Sequence, residues 1–268
     1  MMKRPHLLFS VLGIAFVTVF VVFPLYWSFR TAVSPSGFRG FWPRQFTWDN
    51  FDFLFDTNGF MRNVKNSLIV SFWSTVLVLP LSVTAGYALA RFEFPGKRLT
   101  LLVFLLPLVP SIAVLVPLIL FMRTLGLLNT LTAVVIGNTV FTLPFAIWML
   151  RGFFMQIPSE LDDAARLDGA NRLQALYRVI LPLSAPGLIA VAIFALINSW
   201  NNYLYSFAFT SSAEVQVVPA RLLGFITAFG TNYGGMNAAG LVAIVPALLF
   251  FLIFQKWFVQ GMLQGSVK

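Results

Sequence analysis

Long apolar runs alternate with short polar links along this chain. Six runs extend over about 20 residues or more, the length that a helix needs to cross the hydrocarbon core of a bilayer. The pattern predicts an all-α polytopic membrane protein, with residues 1–268 forming one transmembrane domain. The six transmembrane helices are expected at about 7–31, 66–91, 98–122, 131–151, 183–210 and 237–260. Pro107, Pro110 and Pro117 indicate that the third span is kinked or partly broken.

The composition indicates a membrane protein and argues against several kinds of catalytic and metal site. Hydrophobic residues make up 59% of the chain and charged residues 10%, so most of the chain cannot face water. The absence of cysteine excludes disulfides, thiol catalysis and thiolate metal sites. The only histidine, His6, lies beside Lys3 and Arg4, which argues against a histidine-based metal site or catalytic triad. We therefore expect no metal site and no cofactor in this chain.

The net charge of +9 reflects the flanks of the spans and does not indicate nucleic-acid binding. Lys and Arg are more frequent on the side that holds the N-terminus, so we expect cytoplasmic N- and C-termini in a bacterial plasma (inner) membrane. The first apolar run is longer than a usual signal-peptide core. It also lacks a small-x-small cleavage site, and we therefore interpret it as a retained span.

The first external loop, about 32–65, is rich in aromatic residues. Trp42, Trp48, Phe51, Phe53 and Phe55 stand among prolines and asparagines. Rings resting at the membrane interface are the favoured interpretation, since Trp is enriched there. Contact with an external partner stays open, and the sequence does not reveal the role of this loop.

The loop at 152–182 concentrates acidic residues in an otherwise weakly charged chain. Four of its nine carboxylates lie here: Glu160, Asp162, Asp163 and Asp168. Pro158-Ser159 is typical of a helix start, and acidic residues in the first turn complement the positive helix end. Asp162 and Arg166 stand four apart and could pair on one face.

A second amphipathic stretch follows a turn at Asp168-Gly169 and runs from Arg172 to Val179. The resulting helix–turn–helix is expected to lie across the membrane face and to fit a groove on a partner. Two other interpretations are a carboxylate metal or acid–base site and an ordinary solvated loop. The lack of a nearby histidine weakens the first, and the residues alone leave the second open.

One motif in this loop carries a family resemblance. Asp163-Ala164-Ala165-Arg166-Leu167-Asp168-Gly169-Ala170, eight residues and then Val179-Ile180-Leu181-Pro182 resemble the EAA signature of bacterial ABC-importer permease subunits. That signature is E-A-A-x-x-D-G-A, eight residues, then I-x-L-P, and the chain departs from it at Asp163 and Val179. Asn66-Ser67-Leu68, Gly86 to Arg91, Trp200-Asn201 and the tail 265–268 look like the carbohydrate-uptake branch, similar to the maltose-type six-span permease.

The resemblance implies a type I ABC-importer permease fold and a subunit that transports without being an enzyme. Its implied partners are membrane lipid, a second permease subunit, an extracytoplasmic substrate-binding protein and two ATPase subunits that bind ATP and Mg. The chain itself has no G-x-x-x-x-G-K-[ST] phosphate loop. The 152–182 segment would be the cytoplasmic coupling loop. Its implied ATPase-coupling residues are Glu160, Asp163, Ala164, Ala165, Asp168, Gly169, Ala170, Leu181 and Pro182.

The spans carry no Asp, Glu, Lys or Arg near their centres, which argues against proton or sodium coupling. Their polar groups are amides, hydroxyls and aromatic rings. Amides and hydroxyls can hydrogen-bond a sugar and aromatic rings can stack on it, but such groups also join helices to one another. Both roles stay open for the substrate-path candidates: Asn198, Trp200, Asn201, Asn202 and Asn138. Alternative functions are a permease for another solute such as glycerol phosphate, or a stand-alone carrier or channel. The sequence identifies neither the sugar, nor the binding protein, nor the subunit that holds the main substrate contacts.

Overall fold

A computed structural model describes residues 5–35, 40–43, 45–57, 59–102, 104, 110–227 and 230–266, with side chains described for residues 13–255 of these except 57. The chain divides into two compact units, which are described separately. One unit comprises Met1–Met61 with Arg221–Pro246, and the other comprises Arg62–Ala220 with Ala247–Lys268.

Helices dominate the described residues. In chain order the α-helices are α1 Pro5–Ala32, α2 Asp49–Asp52, α3 Phe60–Arg91, α4 Lys97–Leu101, α5 Leu115–Thr124, α6 Leu131–Gln156, α7 Glu160–Leu167, α8 Arg172–Ala175, α9 Leu181–Leu183, α10 Ala185–Asn201, α11 Leu204–Phe209, α12 Val218–Leu222 and α13 Tyr233–Ser266. π-Helical turns occupy Phe53–Thr57 and Leu176–Ile180, and 3₁₀ turns occupy Ser111–Val114 and Leu223–Phe225. A two-stranded antiparallel hairpin pairs β1 Ile226–Thr227 with β2 Gly230–Thr231.

In the smaller unit, Asn50 fastens α2 to the end of α1. Its amide donates to the carbonyls of Ala32 at 2.8 Å and Ser34 at 3.2 Å, so a buried polar side chain is satisfied. Trp42 and Trp48 are largely exposed, as rings at a membrane interface would be. That the aromatic rings of the 32–65 loop rest at the membrane interface stays a prediction.

The lengths and compositions of the described helices fit a polytopic membrane protein. Four of them are long and apolar enough to span a bilayer: α1, α3, α6 and α13. A fifth span would comprise Arg172–Leu183 and Ala185–Asn201, which meet at a bend of 82°. The expected third span at 98–122 is described only in part, as α4, the Ser111–Val114 turn and α5. Residues 103 and 105–109, where part of its kink was expected, lie outside the described residues.

Two described helices differ in extent from the sequence-based expectation. α6 continues past 151 to Gln156 and ends where Ile157 becomes extended before Pro158, as the residue preceding a proline usually does. The segment expected at 183–210 is interrupted after Asn201. There Asn202 is extended and its side-chain oxygen accepts from the amide of Tyr205 at 3.4 Å, a local turn that competes with helix continuation.

The larger unit contains two apolar cores. One lies among α3, α6, α10 and the Leu176–Ile180 turn, and includes Tyr87, Leu150, Phe154 and Ile180. The other lies among α3, α5, α6 and α11, and includes Met122, Tyr205 and Phe209. The first core directly supports the acidic loop.

Candidate functional site

The acidic loop forms the helix–turn–helix that the sequence predicted. α7 ends at Leu167, and Gly169 adopts a φ of +86°, a left-handed conformation that glycine adopts without steric cost. Asn171 and Gln174 then cap the next helix reciprocally, each side chain accepting from the other residue's backbone N–H at 2.9 Å. The capping box explains why α8 starts at Arg172, and the sequence analysis did not anticipate it.

The second arm of the loop turns sharply into α10. Ser184 is buried at the 82° bend, and its hydroxyl donates to the carbonyl of Ile180 at 2.8 Å. Pro182 and Pro186 flank this bend and lack backbone N–H groups, which disfavours a continuous helix. Residues 172–183 therefore run nearly perpendicular to α10, as a segment lying along a membrane face would.

α7 has one inward and one outward face. Asp162 and Ala165, three residues apart, are buried at 9% and 7% exposure. Leu167, by contrast, is 90% exposed. The outward residues are Glu160, Leu161, Asp163, Ala164, Arg166 and Leu167.

The predicted pairing of Asp162 with Arg166 is wrong. Asp162 lies on the inward face, where its Oδ2 is 2.9 Å from Nε of Arg91 and its Oδ1 accepts from the Tyr87 hydroxyl at 2.5 Å. Arg166 lies on the outward face and is 3.7 Å from Asp163. The four-residue spacing allowed the pair, but burial of one partner separated them.

Further contacts join the end of α3 to the loop. Arg91 also donates from a terminal nitrogen to the carbonyl of Ile157 at 2.8 Å. The ring of Tyr87 packs edge-on against Phe154 at 5.9 Å and against Phe92 at 5.8 Å. The Arg172 guanidinium lies over the Phe92 ring at 4.6 Å. The ends of α3 and α6 and both arms of the loop thus meet in one cluster.

The predicted coupling residues divide between the two faces of the loop. Ala165 faces its own chain, and Leu181 is half-buried at the edge of the first core. Glu160, Ala164, Asp168 and Pro182 are exposed. Asp163, Gly169 and Ala170 line an open groove of about 740 Å³ between α7 and α8. Among the described residues, no three His, Cys, Asp or Glu side chains come together as metal ligands would.

A second concavity, of about 640 Å³, lies between α6 and α10. Most of its wall is apolar and includes the rings of Phe145, Phe153 and Phe194. Asn198, Asn201 and Asn202 line the same cavity. Three of the five substrate-path candidates therefore share one neutral cavity with aromatic walls.

The other two candidates do not line that cavity. Asn138 is buried and its amide donates to the Ser199 hydroxyl at 2.8 Å, which joins α6 to α10. Trp200 is 4% exposed and packs edge-on against Phe250 at 5.9 Å. Both side chains act in helix packing in this structure, one of the two roles that the sequence left open.

Asn66 and the stretch from Gly86 to Arg91 were noted in the sequence only as family-like, and the contacts made by the two ends of α3 were not predicted. Tyr87 and Arg91 lie four apart, which places both on one helix face, and this spacing was available as a signal. At the opposite end, Asn63 donates to the carbonyls of Ala213 and Gln216 at 2.7 and 2.8 Å. Asn66 donates to those of Glu214 and Gln216 at 2.7 and 3.0 Å.

Comparisons with known proteins identify the family. The family described as "binding-protein-dependent transport system inner membrane component" matches residues 79–264. The chain belongs to this family. As a member of the binding-protein-dependent transport family, it is an inner-membrane transport component and not an enzyme.

Two relatives of this family member align over most of its length. The diacetylchitobiose uptake system permease protein DasC of Streptomyces coelicolor is 35% identical over 92% of each chain. The trehalose transport system permease protein SugB of Mycobacterium tuberculosis is 34% identical over 94% of each. A chain in the crystal structure of a bacterial ABC transporter that imports the acidic polysaccharide alginate superposes with a TM-score of 0.81 at 23% identity, covering 96% of this chain and 99% of that one. The fold is therefore that of an ABC-importer permease.

Proposed function

We propose that this chain is the permease subunit of an ATP-driven importer for a neutral sugar or oligosaccharide. The cavity between α6 and α10 carries the proposal, because it combines three asparagines with aromatic walls. Amides donate to and accept from sugar hydroxyls, and aromatic rings pack against the apolar faces of sugars. The names of two relatives, which concern diacetylchitobiose and trehalose, support the same substrate class.

The charge of the cavity favours a neutral solute over a phosphorylated one. Its lining among the described residues contains no Lys or Arg. A phosphate group in a low-dielectric cavity requires paired cations, because an unpaired charge there is strongly disfavoured. A glycerol phosphate permease is therefore the weaker candidate.

The family and the lack of a phosphate loop in this chain support the other subunits as its partners. A second permease subunit would complete the path, two ATPase subunits would bind ATP and Mg, and an extracytoplasmic protein would deliver the sugar. The coupling residues would act through the outward face of α7 and the groove beside it, which includes Asp163 and Gly169. The distribution of Lys and Arg supports cytoplasmic N- and C-termini.

Reconstitution tests the proposal. The chain, its second permease, its ATPase and its binding protein are incorporated into proteoliposomes, and uptake is measured across neutral sugars and phosphorylated solutes. The expected result is saturable uptake of a neutral sugar that requires ATP, the ATPase and the loaded binding protein. Uptake without the ATPase, or of phosphorylated solutes only, would contradict it.

A matched pair of variants tests the cavity itself. Asn201→Ala removes an exposed amide from the cavity wall and is expected to raise the KM for sugar uptake severalfold, in line with the loss of one hydrogen bond worth about 1 kcal/mol. Asn138→Ala removes a buried amide outside the cavity and is expected to lower stability without a selective change in KM. If the two variants changed KM equally, the cavity would not be part of the substrate path.

A further inference from the structure

Three polar side chains that are largely shielded from solvent meet where α3 ends: Tyr87, Arg91 and Asp162. Tyr87 is 6% exposed, and the side chains of Arg91 and Asp162 are 11% and 12% exposed. A buried ion pair of this kind usually contributes little net stability relative to apolar residues of the same volume. Separating the two side chains is nevertheless costly, because it leaves an uncompensated charge in a largely buried place.

Arg91 contacts the chain on both sides of the connection between α6 and α7. One nitrogen donates to the carbonyl of Ile157, just after α6, and another lies 2.9 Å from the carboxylate of Asp162, in the first turn of α7. Movement of α7 relative to α3 would break the ion pair with Asp162. It would also break the hydrogen bond from the Tyr87 hydroxyl to the same carboxylate.

α3 also packs tightly against α6 beside this cluster. A Cβ atom placed on Gly86 would lie 3.2 Å from the backbone nitrogen of Arg151 and 3.3 Å from the carbonyl oxygen of Ile147. The two helix backbones therefore approach closely at this point, which only a residue without a side chain accommodates without displacement. The end of α3 is thus fixed both to α6 and to the loop.

We propose that Tyr87, Arg91 and Asp162 form a clamp that makes the end of α3 move together with α7 as one body. The inference rests on the proposed function, in which α7 receives the movement of an ATPase subunit. Tyr87 and Arg91 are positioning residues, since they act through Asp162. The clamp extends coupling from the loop to a helix that precedes it by about 70 residues.

The absence of cysteine allows a direct test by spin labelling. Thr84→Cys on α3 and Ser159→Cys at the start of α7 place labels at two exposed positions outside the clamp. Their distance is measured by double electron–electron resonance in the assembled transporter, without nucleotide and with a non-hydrolysable ATP analogue. The clamp predicts one narrow distribution that is the same in both states. A distance that changes with nucleotide would overturn it.

A variant then links the clamp to transport. Asp162→Asn in the labelled protein is expected to broaden the distance distribution and to reduce sugar imported per ATP hydrolysed on the order of tenfold. The control is Glu93→Gln, which removes a carboxylate that is 89% exposed and pairs with Lys97, and which is expected to change neither quantity. An unchanged distribution and transport ratio in Asp162→Asn would also overturn the clamp.

The two proposals fail in different ways. A wild-type transporter that shows no ATP-dependent sugar uptake would refute the proposed function, whatever the label distances are. A wild-type transporter that imports sugar but shows a nucleotide-dependent distance would refute the clamp alone. If the Asp162→Asn subunit does not assemble into a transporter, the distances between the two labels in the otherwise wild-type transporter still decide whether the clamp exists.

Discussion

At one end of α3, Asn63 and Asn66 donate amide hydrogens to the backbone of residues 213–216. At the other end, Tyr87 and Arg91 bind the single carboxylate of Asp162. About 21 residues separate Asn66 from Tyr87, which corresponds to roughly 32 Å along a helix, close to the thickness of the hydrocarbon core. One helix therefore holds a loop at each membrane face, by two different kinds of contact.

The two anchors differ in redundancy. Several contacts hold residues 211–218. They are the four amide hydrogen bonds of Asn63 and Asn66, the bond from the Val218 N–H to the Ser67 hydroxyl at 2.8 Å, and the bonds from the Ser211 and Ser212 N–H groups to the side chain of Asn129. Loss of any one leaves the others. The clamp depends on one carboxylate, whose loss leaves a buried guanidinium without its ion-pair partner. A redundant anchor suits a fixed loop, whereas a single anchor suits a part that transmits movement.

The largest effect is expected from Asp162→Ala. The variant leaves the Arg91 charge buried without its carboxylate, which costs about 3 kcal/mol of stability. Thermal unfolding of the purified chain, followed by circular dichroism, measures the change. Glu93→Gln changes a largely exposed carboxylate that pairs with Lys97, and as the control it is expected to change stability by less than about 0.5 kcal/mol. Identical unfolding of Asp162→Ala and wild type would show that the charged anchor does not stabilise the fold.

Tyr87→Phe tests the other contact of the same carboxylate. It keeps the ring packed against Phe154 and removes only the hydroxyl, so the loss is that of one hydrogen bond to a charged group, about 1.5–3 kcal/mol. The same unfolding measurement is expected to place this variant between wild type and Asp162→Ala. Unfolding identical to wild type would mean that Tyr87 acts mainly through its ring contacts, which Phe retains.

At the opposite end of α3, Asn66→Ala is expected to cost about 1 kcal/mol, because Asn63 still donates to the Gln216 carbonyl. Hydrogen–deuterium exchange should increase in residues 213–217 and stay unchanged in residues 158–170. Asn237→Ala is a matched control, since that amide donates within its own helix, to the carbonyl of Tyr233. Faster exchange at 158–170 in Asn66→Ala would mean that the two anchors are not independent.

The last prediction compares two variants of Asn129, a residue that combines a left-handed backbone with a side chain that binds the loop. Its φ is +60°, and its Oδ1 accepts from the backbone N–H groups of Ser211 and Ser212 at 3.0 and 3.1 Å. Asn129→Gly removes the side-chain contacts only, whereas Asn129→Ala also strains the backbone, so Ala should be the less stable by about 1 kcal/mol. Equal stabilities in the unfolding assay would show that the backbone conformation there is not a constraint.

Much of the fold follows from hydropathy alone. Apolar runs of spanning length predicted α1, α3, α6 and α13, because lipid requires every backbone group to be bonded within a helix. The turn at Gly169 and the acidic first turn of α7 were also predictable, since they depend on local backbone chemistry. The interruption at Asn202 was not predicted, because a single Asx turn there overrides an apolar pattern.

The candidate site was predictable only in part for a physical reason. Spacing along a helix shows which residues share a face, but not which face is buried. Asp162 could therefore be assigned to Arg166, although tertiary packing brings it to Arg91, 71 positions earlier in the chain. Asn198 and Asn138 illustrate the same limit: both are asparagines in apolar helices, yet one lines the cavity and the other bonds Ser199.

In the proposed mechanism, the charged end of α3 couples the loop to transport, whereas the amide end only holds structure. The most direct test is the amount of sugar imported per ATP hydrolysed in proteoliposomes, compared between Asp162→Asn and Asn66→Ala. We expect Asp162→Asn to lower this ratio on the order of tenfold and Asn66→Ala to leave it at the wild-type value. A ratio that is unchanged in Asp162→Asn, or that falls equally in both variants, would show that the charged end of α3 has no special role in coupling.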